Sequence, residues 1–173
     1  GLDMETLRVE LEKWRNRLHG YFFTSDLRFF IQGGRVSKAA GFIGGLLKIC
    51  PVLKITEEGK LKPIEKARGK KQAMENILSK MEKEGYLSTE KCFISHSACP
   101  LDAEKLAESI RERFHPEGSI EIFDIGGTIA CHTGPGTVSS FFFGKGKEDQ
   151  KMPRKFPNMN VHSMSLFLSH TTS

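Results

Sequence analysis

Residues 125–137 read Ile-Gly-Gly-Thr-Ile-Ala-Cys-His-Thr-Gly-Pro-Gly-Thr, between a strand-like run and an apolar one. Glycine, proline and threonine at this density argue against a regular helix or ladder, so the stretch reads as a tight turn that presents His132. Ile125, Ile129 and Ala130 are expected to hold part of it against a core. Bare backbone N–H groups and hydroxyls beside an imidazole are equipment for holding an anionic head group, a carboxylate or a phosphate. The same residues also fit a purely structural turn capped by a histidine.

The whole chain has 173 residues, enough for one domain with a substantial core. Its 13 phenylalanines point to a generous apolar interior or to a lipid or partner surface. Of the net charge of +5, +3 belongs to residues 144–173, so the body is only mildly basic and a nucleic-acid reading from charge alone is weak. Cys50, Cys92, Cys99 and Cys131 form no CxxC pair and no dense framework, which implies reduced thiols and a cytoplasmic setting. Cys92, His96 and Cys99 fit no common zinc spacing, and no metal is expected there. No apolar run reaches the roughly 18 residues of a membrane span.

Leu7, Leu11, Trp14 and Leu18 recur at helical spacing, predicting a helix over 3–18 capped by Asp3. Residues 18–24 read as a buried strand. Ser25 or Asp26 then caps a short helix that Gly33 and Gly34 end. A second helix is expected over 39–48, with Gly41, Gly44 and Gly45 allowing close packing or an approaching ligand, and Arg35 before it could help hold an anion. Runs 51–55 and 60–66 flank Glu57-Glu58-Gly59 as a hairpin. Arg68-Gly69-Lys70-Lys71 opens a helix to about 84 with Ala73, Met74, Ile77, Leu78 and Met81 on one face. A strand over 91–97, a helix capped by Asp102 and a strand over 119–125 are compatible with a crossover. Residues 138–143 form a last apolar strand, and 146–173 read as a basic, loosely ordered tail.

The order of motifs is specific. Gly33-Gly34-Arg35-Val36-Ser37-Lys38-Ala39-Ala40, the run 47–53, the hairpin ending in Arg68-Gly69-Lys70-Lys71, the strand end Ile94-Ser95-His96-Ser97, and His132-Thr133-Gly134-Pro135-Gly136-Thr137 together resemble the bacterial DegV family, from the first helix to Lys145. The resemblance implies an α+β fold of two layers, a mixed, largely antiparallel sheet packed with helices. It implies a carrier that binds a long-chain fatty acid and presents its carboxylate to a fatty acid kinase, without being an enzyme or needing a cofactor.

By motif, His132, with Thr133 and Gly134, corresponds to the carboxylate site, and Arg68 and Arg35 to the kinase or anion contacts. Helix periodicity adds Phe42, Ile43 and Leu46 as expected acyl-chain contacts. Against the family pattern, residues 1–18 read as a linking helix and 19–145 as the C-terminal lobe, with no N-terminal lobe ahead of them. Half of the lipid pocket would then come from a second copy or from a lobe supplied in trans. An incomplete, non-binding fragment or interaction module is the main alternative. An enzyme using His132 or Cys131 would need a carboxylate to orient the imidazole, and Asp124 is the acidic residue nearby in sequence. A nucleic-acid or acidic-partner binder would need Arg35, Arg68, Lys70 and Lys71 on one face.

Overall fold

A computed structural model describes residues 1–36 and 49–146. In chain order they form α1 (Met4–Arg17), β1 (Leu18–Thr24), α2 (Arg28–Gln32), β2 (Ile49–Ile55), β3 (Leu61–Arg68), α3 (Lys70–Lys83), β4 (Cys92–Ser97), α4 (Pro100–Phe114), β5 (Ile120–Asp124), α5 (Gly127–Thr133) and β6 (Thr137–Phe143). The strands make one sheet in the order β3-β2-β1-β6-β4-β5. Every neighbouring pair is antiparallel except β4 and β5, which α4 joins as a parallel crossover. This is the mixed α+β architecture that the sequence pattern implies.

The β1 side chains alternate between two layers, as a pleated strand must. Tyr21 and Phe23 face the main core beneath α3 and α4, with Ile77, Met81, Leu106, Ile110 and Phe142. Phe22 faces the other way, into a smaller cluster with Phe30 of α2, Val36 and Leu53. All five apolar residues expected on the inner face of α3 are buried. Burying such side chains contributes roughly 1.5–3 kcal/mol each relative to exposure, so α3 is held by its packing more than by intrinsic propensity.

Three local expectations need correction. First, residues 127–133 do form a helix, since the glycines stand mainly at its ends: Gly126 accepts from Ile129 and Ala130 N–H at 2.9 Å, and Gly134 closes the last turn. Ile129 is 55% exposed and does not join the core. Second, Asp102 does not cap α4. Cys99 occupies that position ahead of Pro100, and Asp102 instead pairs with Lys70 across α3 and α4. Third, α1 is a helix capped by Asp3, but none of its residues is buried, and Leu7, Leu11 and Trp14 remain exposed. Trp14 meets the edge of the Phe143 ring.

At one end of the sheet a buried polar cluster ties β1, β2 and the C-terminal end of α3 together. The Tyr21 hydroxyl donates to Glu84 Oε1 at 2.7 Å, and Lys54 Nζ reaches the same oxygen at 3.0 Å. Burial alone would raise the Glu84 pKa, but these donors overcome it and hold the carboxyl below the ordinary glutamate value. Among the described residues no helix is long and apolar enough to cross a membrane.

Candidate functional site

The opposite end of the sheet collects the residues that the sequence singles out. Strand register sets Thr24 of β1 opposite Thr137 of β6, Thr137 opposite Ser97 of β4, and His96 opposite Asp124 of β5. Because β2 and β3 run antiparallel, Arg68 at the end of β3 pairs with Ile49 and reaches this end too. The ends of β1, β3, β4 and β5 and the starts of β2 and β6 therefore form one rim.

The segment from α5 into β6 is fastened to this rim by short bonds. The Gly136 N–H donates to Ser97 O at 2.8 Å, and the Ile125 N–H donates to His96 O at 2.8 Å. The Thr137 hydroxyl donates to Thr133 O at 2.8 Å and lies 3.0 Å from the Thr24 hydroxyl. Gly134 and Gly136 have φ of +74° and +79°, a left-handed region that favours glycine, so their glycines answer a backbone need.

His132 sits half-buried in the last turn of α5, its ring against Gly33 at the C-cap of α2. Thr133 is 3% exposed, and its hydroxyl has no hydrogen-bond partner among the described residues. A buried hydroxyl without a partner costs free energy that a ligand's acceptor oxygen would recover. Arg35 is exposed, and its Nη1 donates to Gly33 O at 2.6 Å, so it joins the His132 neighbourhood through that glycine.

Arg68 stands farther along the same rim. It is exposed at the end of edge strand β3, where its N–H donates to Gln72 Oε1 at 2.6 Å, with β2, β1 and β6 in sequence across the sheet between it and β4. Phe42, Ile43 and Leu46 lie outside the described residues.

The remaining alternatives meet specific obstacles. Asp124 is exposed, and no hydrogen bond among the described residues joins it to His132; the imidazole near it is that of His96, with Oδ1 3.5 Å from Nδ1. Arg35 follows α2 on one layer while Lys70 and Lys71 open α3 on the other, which does not give the four basic residues a common face. Cys131 is exposed, whereas burial pushes the Cys50 and Cys92 thiols up to about 12, which makes those two poor nucleophiles.

Sequence reasoning missed Gly33, Phe29 and Ser25 as parts of this site. The double glycine at 33–34 reads as a helix stop, and only the fold shows that Gly33 faces His132.

The family model for an uncharacterised protein of the DegV family matches residues 1–145. Among curated relatives, a DegV domain-containing protein of Clostridium perfringens is 39% identical over 149 residues, which are 86% of this chain and 51% of that protein. The Streptococcus pneumoniae Fatty Acid Kinase (Fak) B3 protein, solved loaded with linoleic acid, superposes with a TM-score of 0.75 at 25% identity, covering 84% of this chain and 51% of that one. A fatty acid binding DegV family protein from Streptococcus agalactiae gives a TM-score of 0.70 at 31% identity, covering 84% and 51%. The chain thus spans about half the length of the relatives it matches. By sequence and by fold, it belongs to the DegV family.

Proposed function

We propose that this chain is one lobe of a fatty-acid carrier, whose ligand carboxylate is held at His132, Thr133 and Gly134. The observation that carries the reading is a buried Thr133 hydroxyl, unpartnered among the described residues and next in sequence to a half-buried His132, on the rim of a fold whose relatives include fatty-acid-bound structures. A carboxylate leaving water needs several donors, and an imidazole, a hydroxyl and nearby N–H groups supply them without a buried ion pair. The acyl chain would gain about 0.8 kcal/mol per buried methylene from an apolar slot, to which Phe42, Ile43 and Leu46 contribute on this reading.

The role is binding rather than catalysis, in the cytoplasm, with the head group offered to a separate fatty acid kinase. Exposed Arg68 and Arg35 are the contacts proposed for that kinase or for its phosphate. Residues 1–18 serve as a linking helix, 19–145 as the lobe, and 146–173 as a tail. The bare apolar residues Leu7, Leu11 and Trp14 of α1, and Phe123, which is 51% exposed and stacked on Phe93, offer a surface for the complementary lobe or a second copy. The same exposed surface favours a second reading, an interaction module that holds no lipid by itself.

Native mass spectrometry of the purified chain, followed by denaturing lipid extraction, separates the two. Stoichiometric long-chain fatty acid, lost in His132→Ala, supports the carrier; lipid-free protein across several expression hosts sinks autonomous binding.

A further inference from the structure

Three glycines around the site stand where another side chain has come too close for a Cβ. A methyl at Gly33 would lie 2.5 Å from His132 Nδ1, one at Gly134 would lie 2.3 Å from the Phe29 ring, and one at Gly136 would lie 2.4 Å from Ser25 Oγ. Real Cβ contacts do not fall below about 3 Å, so each glycine is a seat for its neighbour. The six residues belong to two segments, 25–33 and 132–136, and each segment inserts side chains into the glycine positions of the other. Gly126 and Gly127, at the start of α5, face open space, so the close fit is confined to the end that carries His132.

Gly33 differs from the other two in its backbone. Its φ is −73°, a value any residue adopts, so no turn geometry demands glycine there. The imidazole of His132 does. The ring meets Gly33 through its Nδ1 side, and Phe29 O lies 3.1 Å from the same added methyl.

We propose that Gly33 is a positioning residue for His132: the C-cap of α2 seats the Nδ1 side of the imidazole and leaves Nε2–H as the donor to an anionic head group. This rests on the reading of His132 as the head-group residue. An unprotonated Nδ1 can lie against the Gly33 Cα–H, whereas the neutral ring then carries its proton on Nε2, the form able to donate to a carboxylate oxygen. The glycine sets both the ring's pose and the nitrogen it offers.

Long-range 1H–15N correlation spectra of the histidine-labelled chain test this without any substitution. In the ligand-free protein His132 is expected as the Nε2–H tautomer, and sodium oleate should move Nε2 while leaving Nδ1 nearly in place. The variant Gly33→Ala should give a mixed or inverted tautomer signature, and retention of oleate about tenfold weaker, as displacing a positioned group does. In the Gly33→Ala/His132→Ala double variant the loss should be no greater than in His132→Ala alone, because the added methyl then has no ring to displace. A melting curve shows whether Gly33→Ala is folded, and the wild-type spectrum stands if it is not. An Nδ1–H tautomer in the ligand-free chain, or an oleate response centred on Nδ1, overturns the proposal. An Nε2–H tautomer with no response to oleate keeps the seat but overturns the head-group reading and the donor role with it.

Discussion

The Thr137 hydroxyl donates to the backbone carbonyl of Thr133 at 2.8 Å, joining the first residue of β6 to the last residue of α5 inside the protein. Both residues are buried, so the bond closes the turn that carries His132 from within, and the turn's shape does not depend on solvent-exposed contacts. Thr137→Val keeps the shape and removes the donor, leaving Thr133 O without it. A loss of about 1–3 kcal/mol in urea unfolding is expected. Unchanged stability would mean that the carbonyl finds another donor.

The two ends of α5 should differ in their tolerance of alanine. Gly134 combines φ +74° with a Phe29 ring at 2.3 Å from any added Cβ, so Gly134→Ala should cost about 2 kcal/mol or more. Gly126, with φ −56° and open space around it, should accept alanine within about 0.5 kcal/mol. Denaturant midpoints of the two variants, measured side by side, check the contrast.

Much of this was legible beforehand, and the limits are instructive. The inner face of α3, the hairpin of β2 and β3 and the β4–α4–β5 crossover follow from periodicity, because one buried face imposes its period on the residues. Residues 125–137 also mark the candidate site, yet their helix is not legible, since composition records how many glycines there are and not that most stand at the ends of α5. The stripe of Leu7, Leu11 and Trp14 predicted a helix correctly but not its exposure, because periodicity marks an apolar face without saying what covers it. Gly33 was beyond reach for a further reason. Its partner is about a hundred residues away in sequence and is brought to it only by the pairing of β1 with β6.

Acid should act on the chain through Glu84. The folded-state pKa is depressed, so this carboxylate contributes stability above its unfolded value of about 4.5, and that contribution is lost as pH falls through the lower folded value. Glu84→Gln should therefore lose about 2 kcal/mol at pH 7, where its charged hydrogen bonds to Tyr21 and Lys54 vanish, and should show a flatter stability profile below pH 5. Thermal melts of both proteins between pH 3 and pH 7, on the order of one point per half unit, test the sign. Parallel profiles would remove Glu84 as the cause.

Arg68 offers a clean separation of stability from partner binding. It is exposed at the end of an edge strand and has no ion-pair partner among the described residues, so Arg68→Ala should change stability by less than about 0.5 kcal/mol. If Arg68 serves a kinase, the same variant should retain fatty acid yet slow phosphorylation of that ligand by a fatty acid kinase. Loss of bound lipid in Arg68→Ala would place the residue in the pocket instead.

Head-group recognition at His132 is tested most directly by titrating the chain with oleic acid and with oleyl alcohol, ligands alike in chain and different at the head. The account predicts that the acid binds at least about tenfold more tightly than the alcohol, the difference made by a charge-assisted hydrogen bond, and that His132→Ala removes most of the preference. Equal affinity for the two, or a preference that survives His132→Ala, would contradict it.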